Sequence, residues 1–353
     1  MKRHTGFHTS IYAAAVYVLL CGSAPPPSFA LDRGDAKTAW TFSIYFENDL
    51  FTHTDQGYTN GTKLVWISPD LSTYADIDTL PAWSLPIIRR LPFINTVGLQ
   101  RNIAFSVGQN MYTPQNTSRY ELIENDRPYA GWLYGGIAFH SKNTCHLDSF
   151  ELQFGMVGPL SYAEETQKFV HKVRGFDQPN GWDNQLKNEP GLNVIAERKW
   201  RLLTARKGFG YDAITHIGGA VGNVVTYANA GIAIRAGWNV PRDFGVSLIR
   251  PAGDTNAPVD EHDPRFLGIR GFGVHVFASV DARAVLRDIF LDGNTFEDSH
   301  SIDKKHVVTD FAAGLSVIYY RFKISYAQVY RTKEFRGQDG DHKFGSITVS
   351  FTF

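Results

Sequence analysis

The last eight residues of the chain, 346–353, read SITVSFTF. Apolar and hydroxyl side chains alternate along this stretch: Ile347, Val349, Phe351 and Phe353 share one face of an extended strand, and Ser346, Thr348, Ser350 and Thr352 share the other. A strand with an apolar outer face, a polar inner face and a final Phe is typical of bacterial outer-membrane β-barrels. The edge strand of a soluble sandwich can alternate in the same way, so the rest of the chain must decide.

The same period-two alternation recurs along the sequence and predicts twelve strands. The predicted strands cover residues 40–47, 61–68, 101–109, 131–141, 149–157, 191–201, 210–223, 230–239, 271–283, 307–319, 321–331 and 343–353. An even number of antiparallel strands suits a closed barrel, in which every backbone group of a lipid-embedded sheet finds a partner. We therefore predict an all-β protein, a membrane-spanning antiparallel β-barrel of twelve strands with a short helix in an extracellular loop.

The N-terminal residues 1–30 have the layout of a secretory signal peptide. A basic start precedes an apolar run at 11–20, and Ala30 supplies the small residue before the expected cleavage site. The run is shorter than the ~20 residues that a membrane-spanning helix needs. We expect residues 31–353 to form a single outer-membrane barrel domain.

Charge and cysteine content limit the partners and bonds of this domain. The chain has 35 basic and 35 acidic residues, so its formal net charge is zero and we expect no nucleic-acid partner. Cys145 is the single cysteine of residues 31–353, which therefore cannot form an intramolecular disulfide. The sequence leaves the oligomeric state open.

Three loops of the predicted barrel carry most of the chemically active residues. In an outer-membrane barrel both termini lie on the periplasmic side, so the loops at 48–60, 110–130 and 158–190 would emerge at the extracellular rim. The third loop contains a partly apolar stretch, 160–176, that predicts a short helix. This helix would carry Gln167 and His171 on one face, because they are four residues apart.

The first of these loops is rich in oxygen ligands. Residues 47–61 read ENDLFTHTDQGYTNG, and their carboxylates and amides are the ligands of a hard cation, which at an extracellular site suggests calcium. Asn and Asp also cap strands and form turns by bonding to local backbone, which is the structural alternative. The residue spacing of an EF-hand is absent from this loop. Composition alone leaves both interpretations open.

The third loop offers a candidate general base in His171. An imidazole can take a proton from water at neutral pH, although a single histidine is more often an ordinary surface residue. Asp177, six residues later, would either orient the ring or belong to the turn FDQPNGW. The motifs GxSxG and HExxH are both absent from the sequence. A hydrolase built on these residues would therefore use activated water.

Five short motifs occur in order along residues 47–186. They are END (47–49), YTNG (58–61), NDRPYAGW (125–132), the run GP…Q…H (158–171) and GWDNQL (181–186). Each motif is weak singly, but five in order at coherent spacing are specific. Together they resemble the lipid A 3′-O-deacylase family of outer-membrane β-barrel proteins.

The resemblance implies a reaction, a substrate and a set of site residues. Members of that family remove the 3′-linked acyloxyacyl chain from lipid A of lipopolysaccharide in the outer leaflet, using calcium and a histidine-activated water. By this resemblance, the calcium ligands are Asn48, Asp49 and Thr59. His171 falls on the position of the catalytic base, and Gln167 lies one turn before it.

The sequence departs from the family pattern at two candidate catalytic positions. Arg119 stands where a lysine is expected, and Asp177 stands where a glutamate is expected. Both changes conserve charge, but arginine and lysine are not interchangeable in their contacts. We therefore expect the two changes to affect substrate contacts more than the reaction. In NDRPYAGW we expect Asp126, Arg127 and Gly131 to fix the second loop against the barrel. The alternatives are a noncatalytic channel or binding barrel, and an outer-membrane phospholipase.

Overall fold

The computed structural model describes residues 38–49, 57–76, 80–205, 208–245 and 248–353. The predicted signal peptide lies outside these residues, as does most of the first loop, including Asp55. Within the described ranges, no helix is both long enough and apolar enough to cross a membrane.

Twelve antiparallel strands form a closed barrel, which confirms the predicted fold class. They are β1 (Thr41–Asn48), β2 (Gly57–Ile67), β3 (Gln100–Thr113), β4 (Ala130–Lys142), β5 (His146–Val157), β6 (Glu189–Ala205), β7 (Phe209–Gly222), β8 (Val225–Trp238), β9 (Gly273–Asp288), β10 (Val307–Tyr319), β11 (Phe322–Arg331) and β12 (His342–Thr352). Each strand pairs with its neighbours in sequence, and β1 closes the sheet by pairing with β12.

The helices are short. The α-helices of the described residues are α1 (Leu85–Ile88), α2 (Ala163–Arg174) and α3 (Ile289–Asp292), and the 3₁₀ turns are Tyr74–Asp76, Ala82–Ser84, Pro159–Ser161, Trp182–Asn184, Pro264–Phe266 and Gly268–Gly271. The helix predicted within 160–176 is α2. It ends at Gly175, whose φ of 69° is a left-handed conformation that glycine adopts without a steric penalty.

The alternation predicted for the last strand is present in the structure. Its hydroxyl residues face the lumen and are buried: Ser346, Thr348, Ser350 and Thr352. The hydroxyl of Ser350 lies 2.8 Å from that of Ser43 on β1, so the closing seam carries a polar contact on its inner side. Phe351 and Phe353 face outward and stack on each other. The apolar belt that a lipid bilayer requires is therefore on the outside of the barrel.

The two ends of the barrel differ. We call the end that carries the β1–β2, β3–β4 and β5–β6 loops the rim, and the opposite end, where β1 begins and β12 ends, the terminal end. The β4–β5 and β10–β11 connections at the terminal end are short, as outer-membrane barrels usually have there. The β8–β9 connection at the same end is long and spans residues 239–272.

The described residues of this connection, 239–245 and 248–272, fold into the lumen, and we call them the plug. The main-chain N–H of Ile249 donates to Glu47 of β1 at 2.7 Å, and that of Ala252 donates to Glu151 of β5 at 2.6 Å. Because Glu47 is the last lumen-facing residue before the rim end of β1, the plug reaches almost through the barrel.

Paired charges hold the plug in place. Asp243 receives hydrogen bonds from Arg235 at 2.7 Å, Arg265 at 3.0 Å and Lys323 at 2.9 Å, and all four side chains are at most 1% exposed. Lys63 of β2 donates to Asp254 of the plug at 2.7 Å. Burying charge away from water is costly unless each group is paired and hydrogen-bonded, and these groups are. The plug is therefore an integral part of the folded barrel.

Candidate active site on the outer wall at the rim

Four neighbouring strands carry a row of outward-facing residues near the rim. Asn48 of β1 pairs with Asn60 of β2. Asn60 pairs with Met111 of β3, which in turn pairs with Gly131 of β4. Side chains alternate along a strand, and the residue before Asn48 faces the plug, so Asn48 faces away from the lumen. We call Asn48, Asn60, Met111 and Gly131 the outer row.

Helix α2 begins directly on the outer row. A Cβ at Gly131 would lie only 2.0 Å from the hydroxyl of Ser161 and 2.3 Å from the Cβ of Ala163, so glycine is what permits this close approach. Ala163 is the first residue of α2 and packs in one cluster with Met111. The side-chain amide of Gln109 donates to the carbonyl of Ser161 at 2.7 Å and fixes the turn before the helix.

The face of α2 that is turned to the barrel is polar. Ala163, Gln167 and His171 follow one another at four-residue intervals and are the buried residues of the helix. The apolar side chains of Phe169 and Val173 are 67% and 69% exposed. A helix on the surface of a soluble protein normally buries its apolar face. The reversed arrangement of α2 sets two chemically active side chains against the barrel wall.

Gln167 is held by a tryptophan from the same loop. The indole Nε1 of Trp182 donates to Oε1 of Gln167 at 2.8 Å. Gln167 is 3% exposed and Trp182 is 1% exposed. Trp182 shares its cluster with Met111 and Ala163, so the same packing joins the end of the third loop to the start of α2.

The ring of His171 is oriented by main chain. Its Nδ1 lies 2.6 Å from the carbonyl oxygen of Asp177. A neutral ring that donates from Nδ1 has Nε2 as its proton-accepting nitrogen, which is the tautomer that a general base needs. The side chain of Asp177 is exposed. The contact between the two residues therefore runs through the backbone of residue 177.

The three cation-ligand candidates lie at the rim ends of β1 and β2. Asn48, Asp49 and Thr59 are 6%, 0% and 4% exposed. The pairing of β2 with β3 shifts between Tyr58 and Asn60, which makes Thr59 the extra residue of a β-bulge. Its hydroxyl lies 2.7 Å from the hydroxyl of Thr113 on β3.

This set of residues fits a hard cation. One amide, one carboxylate and one hydroxyl provide oxygen ligands of the kind that calcium takes, and the bulge removes the main chain of Thr59 from the regular ladder. In the described part of the chain, no three His, Cys, Asp or Glu side chains group closely enough to bind a metal.

Arg119 lies in the second loop, close to the third. Its carbonyl oxygen would be 3.0 Å from a Cβ placed on Gly181, the residue before Trp182. Its guanidinium is 51% exposed and lies 4.0 Å from the carboxylate of Glu121. The structure thus brings the main chain of Arg119 to the edge of the α2 cluster and leaves its side chain accessible.

In NDRPYAGW, the contacts of Asp126 and Arg127 agree with the structural role expected for them, whereas Gly131 contacts the third loop and not the second. Asp126 accepts from the main chain of Gln115 at 2.7 Å, and its own carbonyl lies 2.8 Å from Nε2 of His300 in the β9–β10 loop. Arg127 pairs with Glu334 of the β11–β12 loop at 3.0 Å. The motif therefore ties the second loop to two loops on the far side of the barrel mouth.

Comparison with known proteins agrees with this architecture and with the motifs. The family model described as outer membrane protein LpxR matches residues 13–353. This chain belongs to the LpxR family. Members are lipid A deacylases, which are ester hydrolases of the outer membrane, and membership implies lipid A 3′-O-deacylation.

Two solved structures align with this LpxR-family barrel. LpxR from Salmonella typhimurium aligns with a TM-score of 0.69 and 18% identity, over 89% of this chain and 100% of that chain. The beta domain of the Bordetella autotransporter Brka aligns with a TM-score of 0.40 and 7% identity, over 89% of this chain and 98% of that chain. Among curated protein sequences, none is similar enough to this chain to match.

Sequence reasoning did not identify three features of this LpxR-family site and barrel. The sequence motif GWDNQL assigns no role to Trp182, and Thr113, the hydroxyl partner of Thr59, lies near the start of the predicted loop 110–130 without a signal of its own. The plug was also missed. The signal for it was the length of 239–272, which is Pro- and Asp-rich and sits where a barrel normally has a short turn.

Proposed function

We propose that this protein hydrolyses the 3′-linked acyloxyacyl ester of lipid A at the outer wall of the rim, with His171 as the general base. The observation that carries the proposal is the buried polar face of α2. It sets His171 and Gln167 against the outside of the barrel, the side from which a membrane lipid can approach.

His171 is suited to accept a proton from water. Its Nδ1 bond to the carbonyl of Asp177 fixes the ring and leaves Nε2 as the proton-accepting nitrogen. In the reaction, Nε2 takes a proton as the water oxygen bonds to the ester carbonyl carbon. The same nitrogen then returns the proton to the sugar oxygen as the ester bond breaks. The histidine thus ends the cycle neutral.

Asn48, Asp49 and Thr59 are proposed to hold a calcium ion. Bound there, the ion supplies positive charge that polarises the ester carbonyl and stabilises the developing oxyanion. The dimensions allow these residues and His171 to serve one ester. Three strand spacings separate Asn48 from Gly131 along the outer row, about 14 Å, and the helix from Ala163 to His171 extends about 12 Å.

The outward direction of the site suits a lipid substrate. The outer row faces the same side as the apolar belt, so an acyl chain can stay beside the membrane while its ester meets the helix. We propose that the rim is the extracellular end of the barrel, because the lipid A of an outer membrane is in the outer leaflet. Arg119, with its half-exposed guanidinium near the third loop, is proposed to contact an anionic group of the substrate.

The channel alternative finds no support in the lumen, because the plug crosses it and is held by buried charge pairs. One experiment separates the deacylase from both a phospholipase and a channel. The purified protein is incubated with lipid A and, separately, with phospholipid vesicles, with calcium or with a chelator. Mass spectrometry should show loss of the 3′ acyl group from lipid A, in the calcium arm alone. Fatty acid release from phospholipid with intact lipid A contradicts the proposal.

A further inference from the structure

The orientation of the Gln167 side-chain amide is determined by its partner. An indole N–H can only donate, so the atom of Gln167 that lies 2.8 Å from Trp182 Nε1 must be the oxygen. The acceptor side of the amide is thereby used within the protein. The donors that Gln167 can still offer to a ligand are the two N–H groups on Nε2.

Trp182 is itself held rigidly. It packs against Met111, Tyr129 and Ala163, and its ring centroid lies 4.9 Å from that of Tyr129. A Cβ on the preceding residue, Gly181, would lie 2.5 Å from the Tyr129 ring, so the chain passes this ring at close range. An indole fixed on several sides can hold a glutamine in one rotamer.

The donor end of Gln167 has no hydrogen-bond partner among the described residues. Nε2 is buried in a side chain that is only 3% exposed. A buried N–H group left unmatched destabilises a protein, so sites that keep one usually match it with a ligand oxygen. Gln167 lies one helical turn from His171, the proposed base, on the same buried face of α2.

We propose that Trp182 is a positioning residue for the deacylation reaction: it holds Gln167 so that Nε2 donates a hydrogen bond to the carbonyl oxygen of the scissile ester. The inference rests on the function proposed above. The carbonyl oxygen gains negative charge as water adds, so the hydrogen bond strengthens in the transition state. Loss of the alignment should therefore lower kcat more than it raises KM.

The first test removes the indole N–H and retains the ring. Trp182→Phe should lower kcat about tenfold to a hundredfold, up to the range for losing one oxyanion donor, with KM changed less than threefold. Trp132→Phe is the matched control, because Trp132 is also buried but lies in a different cluster that lines the lumen. It should deacylate lipid A at the wild-type rate. A Trp182→Phe enzyme with the kcat of the control overturns the proposal.

A second variant separates positioning from packing. Gln167→Glu retains an oxygen acceptor for the indole and replaces the donor by a second oxygen, so it should lose at least as much kcat as Trp182→Phe. In a Gln167→Ala background, Trp182→Phe should cost less than threefold further, because the group that it positions is gone. Additive losses in this double-mutant cycle would mean that Trp182 only packs.

Two outcomes keep this inference distinct from the proposed function. If the wild-type protein releases no 3′ acyl group from lipid A, the function itself is wrong. If the wild type is active and Gln167→Glu retains its kcat, the reaction stands and the donor role is overturned. The heat-modifiable mobility of the barrel on a gel reports whether Trp182→Phe folds. If it does not fold, Gln167→Glu still tests whether Nε2 of Gln167 acts as a donor in the reaction.

Discussion

The plug and the outer wall of the rim are both rich in buried polar side chains, but they use them differently. Inside the lumen, both oxygens of Asp243 are taken up by Arg235, Arg265 and Lys323. On the outer wall, Gln167 has its oxygen bonded to Trp182 and its Nε2 unmatched within the described residues. In a polar cluster that stabilises a fold, the hydrogen-bonding groups are paired with one another. In a binding site, some donors or acceptors stay unpaired within the protein and can bind a ligand.

Among the variants that test this difference, removal of the proposed base should have the largest effect on the deacylation rate. His171→Ala should lower the rate of 3′ deacylation by ~10²–10⁴, the usual cost of losing a general base, and leave the barrel folded. Heat-modifiable mobility on a gel measures the folding, and mass spectrometry of lipid A measures the rate. His275→Ala, which changes a lumen-facing histidine of β9, is the control, and we expect it to stay active. If His171→Ala releases the 3′ acyl group at nearly the wild-type rate, another residue must act as the general base.

The proposed cation site should give the next largest effect. Asp49→Ala should lower the rate by about 10²–10³, as expected when a principal stabiliser of the oxyanion is lost. Chelation of calcium should reduce the wild type to a similar rate, and added calcium should restore the wild type but not the variant. Magnesium should restore little, because it demands a tighter octahedral geometry. A rate that is insensitive to chelator contradicts a role for calcium.

Breaking the saturated cluster should affect stability and leave the chemistry intact. Asp243→Ala leaves three buried cations without their shared carboxylate, which typically costs about 3–5 kcal/mol of folding free energy. The temperature at which the barrel unfolds in a detergent solution should fall, and the deacylation rate below that temperature should change less than threefold. Asp303→Ala removes a solvent-exposed partner of Arg336 and should leave the unfolding temperature unchanged. A large loss of deacylation rate in Asp243→Ala would contradict this prediction and would mean that the active site depends on the plug.

The same comparison explains what the sequence could predict. Period-two alternation is imposed by lipid on one side of the sheet and lumen on the other, so it identified all twelve strands and the polar inner face of residues 346–352. The plug has no such pattern. Its contacts, such as Asp243 with Lys323, join residues far apart in the chain, and only the closed barrel brings them together.

The candidate site was predictable where its signal is local. The spacing of Gln167 and His171 on one helix face follows from their separation of four residues, and the structure has them on one buried face. The contact of Trp182 with Gln167 joins residues fifteen apart and depends on how the loop folds back. The direction in which α2 faces depends on Gly131, because the absence of a side chain there lets the start of the helix pack closely. This close contact is visible only in the folded structure.

The docking of α2 on the outer row can be tested at that glycine. A methyl group in Gly131→Ala would overlap Ser161 and Ala163, so the start of α2 must move outward. A displacement of this size near a reacting centre should lower the deacylation rate about tenfold, with little effect on barrel stability. Gly135→Ala is the control, because a Cβ there meets the Phe154 ring at 3.3 Å, a contact that a side chain can relieve. Equal rates in the two variants would mean that helix docking does not govern the site.

The smallest expected effect concerns the side chain of Asp177, and it separates two ways of orienting a base. In a carboxylate-oriented histidine, removal of the carboxylate leaves the ring in the wrong tautomer and costs orders of magnitude in rate. Here Nδ1 of His171 lies 2.6 Å from the main-chain carbonyl of Asp177, a group that every residue at this position has. Asp177→Ala should therefore change kcat less than threefold.

A substitution that shifts the backbone of the turn at Asp177 should lower kcat more than removal of the Asp177 side chain does. The carbonyl of Asp177 lies in the turn that follows Gly175, the residue at which α2 ends. Gly175→Val places a β-branched residue at a φ of 69°, a left-handed conformation that such residues avoid, and should shift this carbonyl. We expect the Gly175→Val enzyme to lose about tenfold or more in kcat, while Asp177→Ala stays near the wild type. The reverse order of the two variants would assign the orientation of His171 to the carboxylate after all, and would make the rim site resemble the plug in relying on a charged partner.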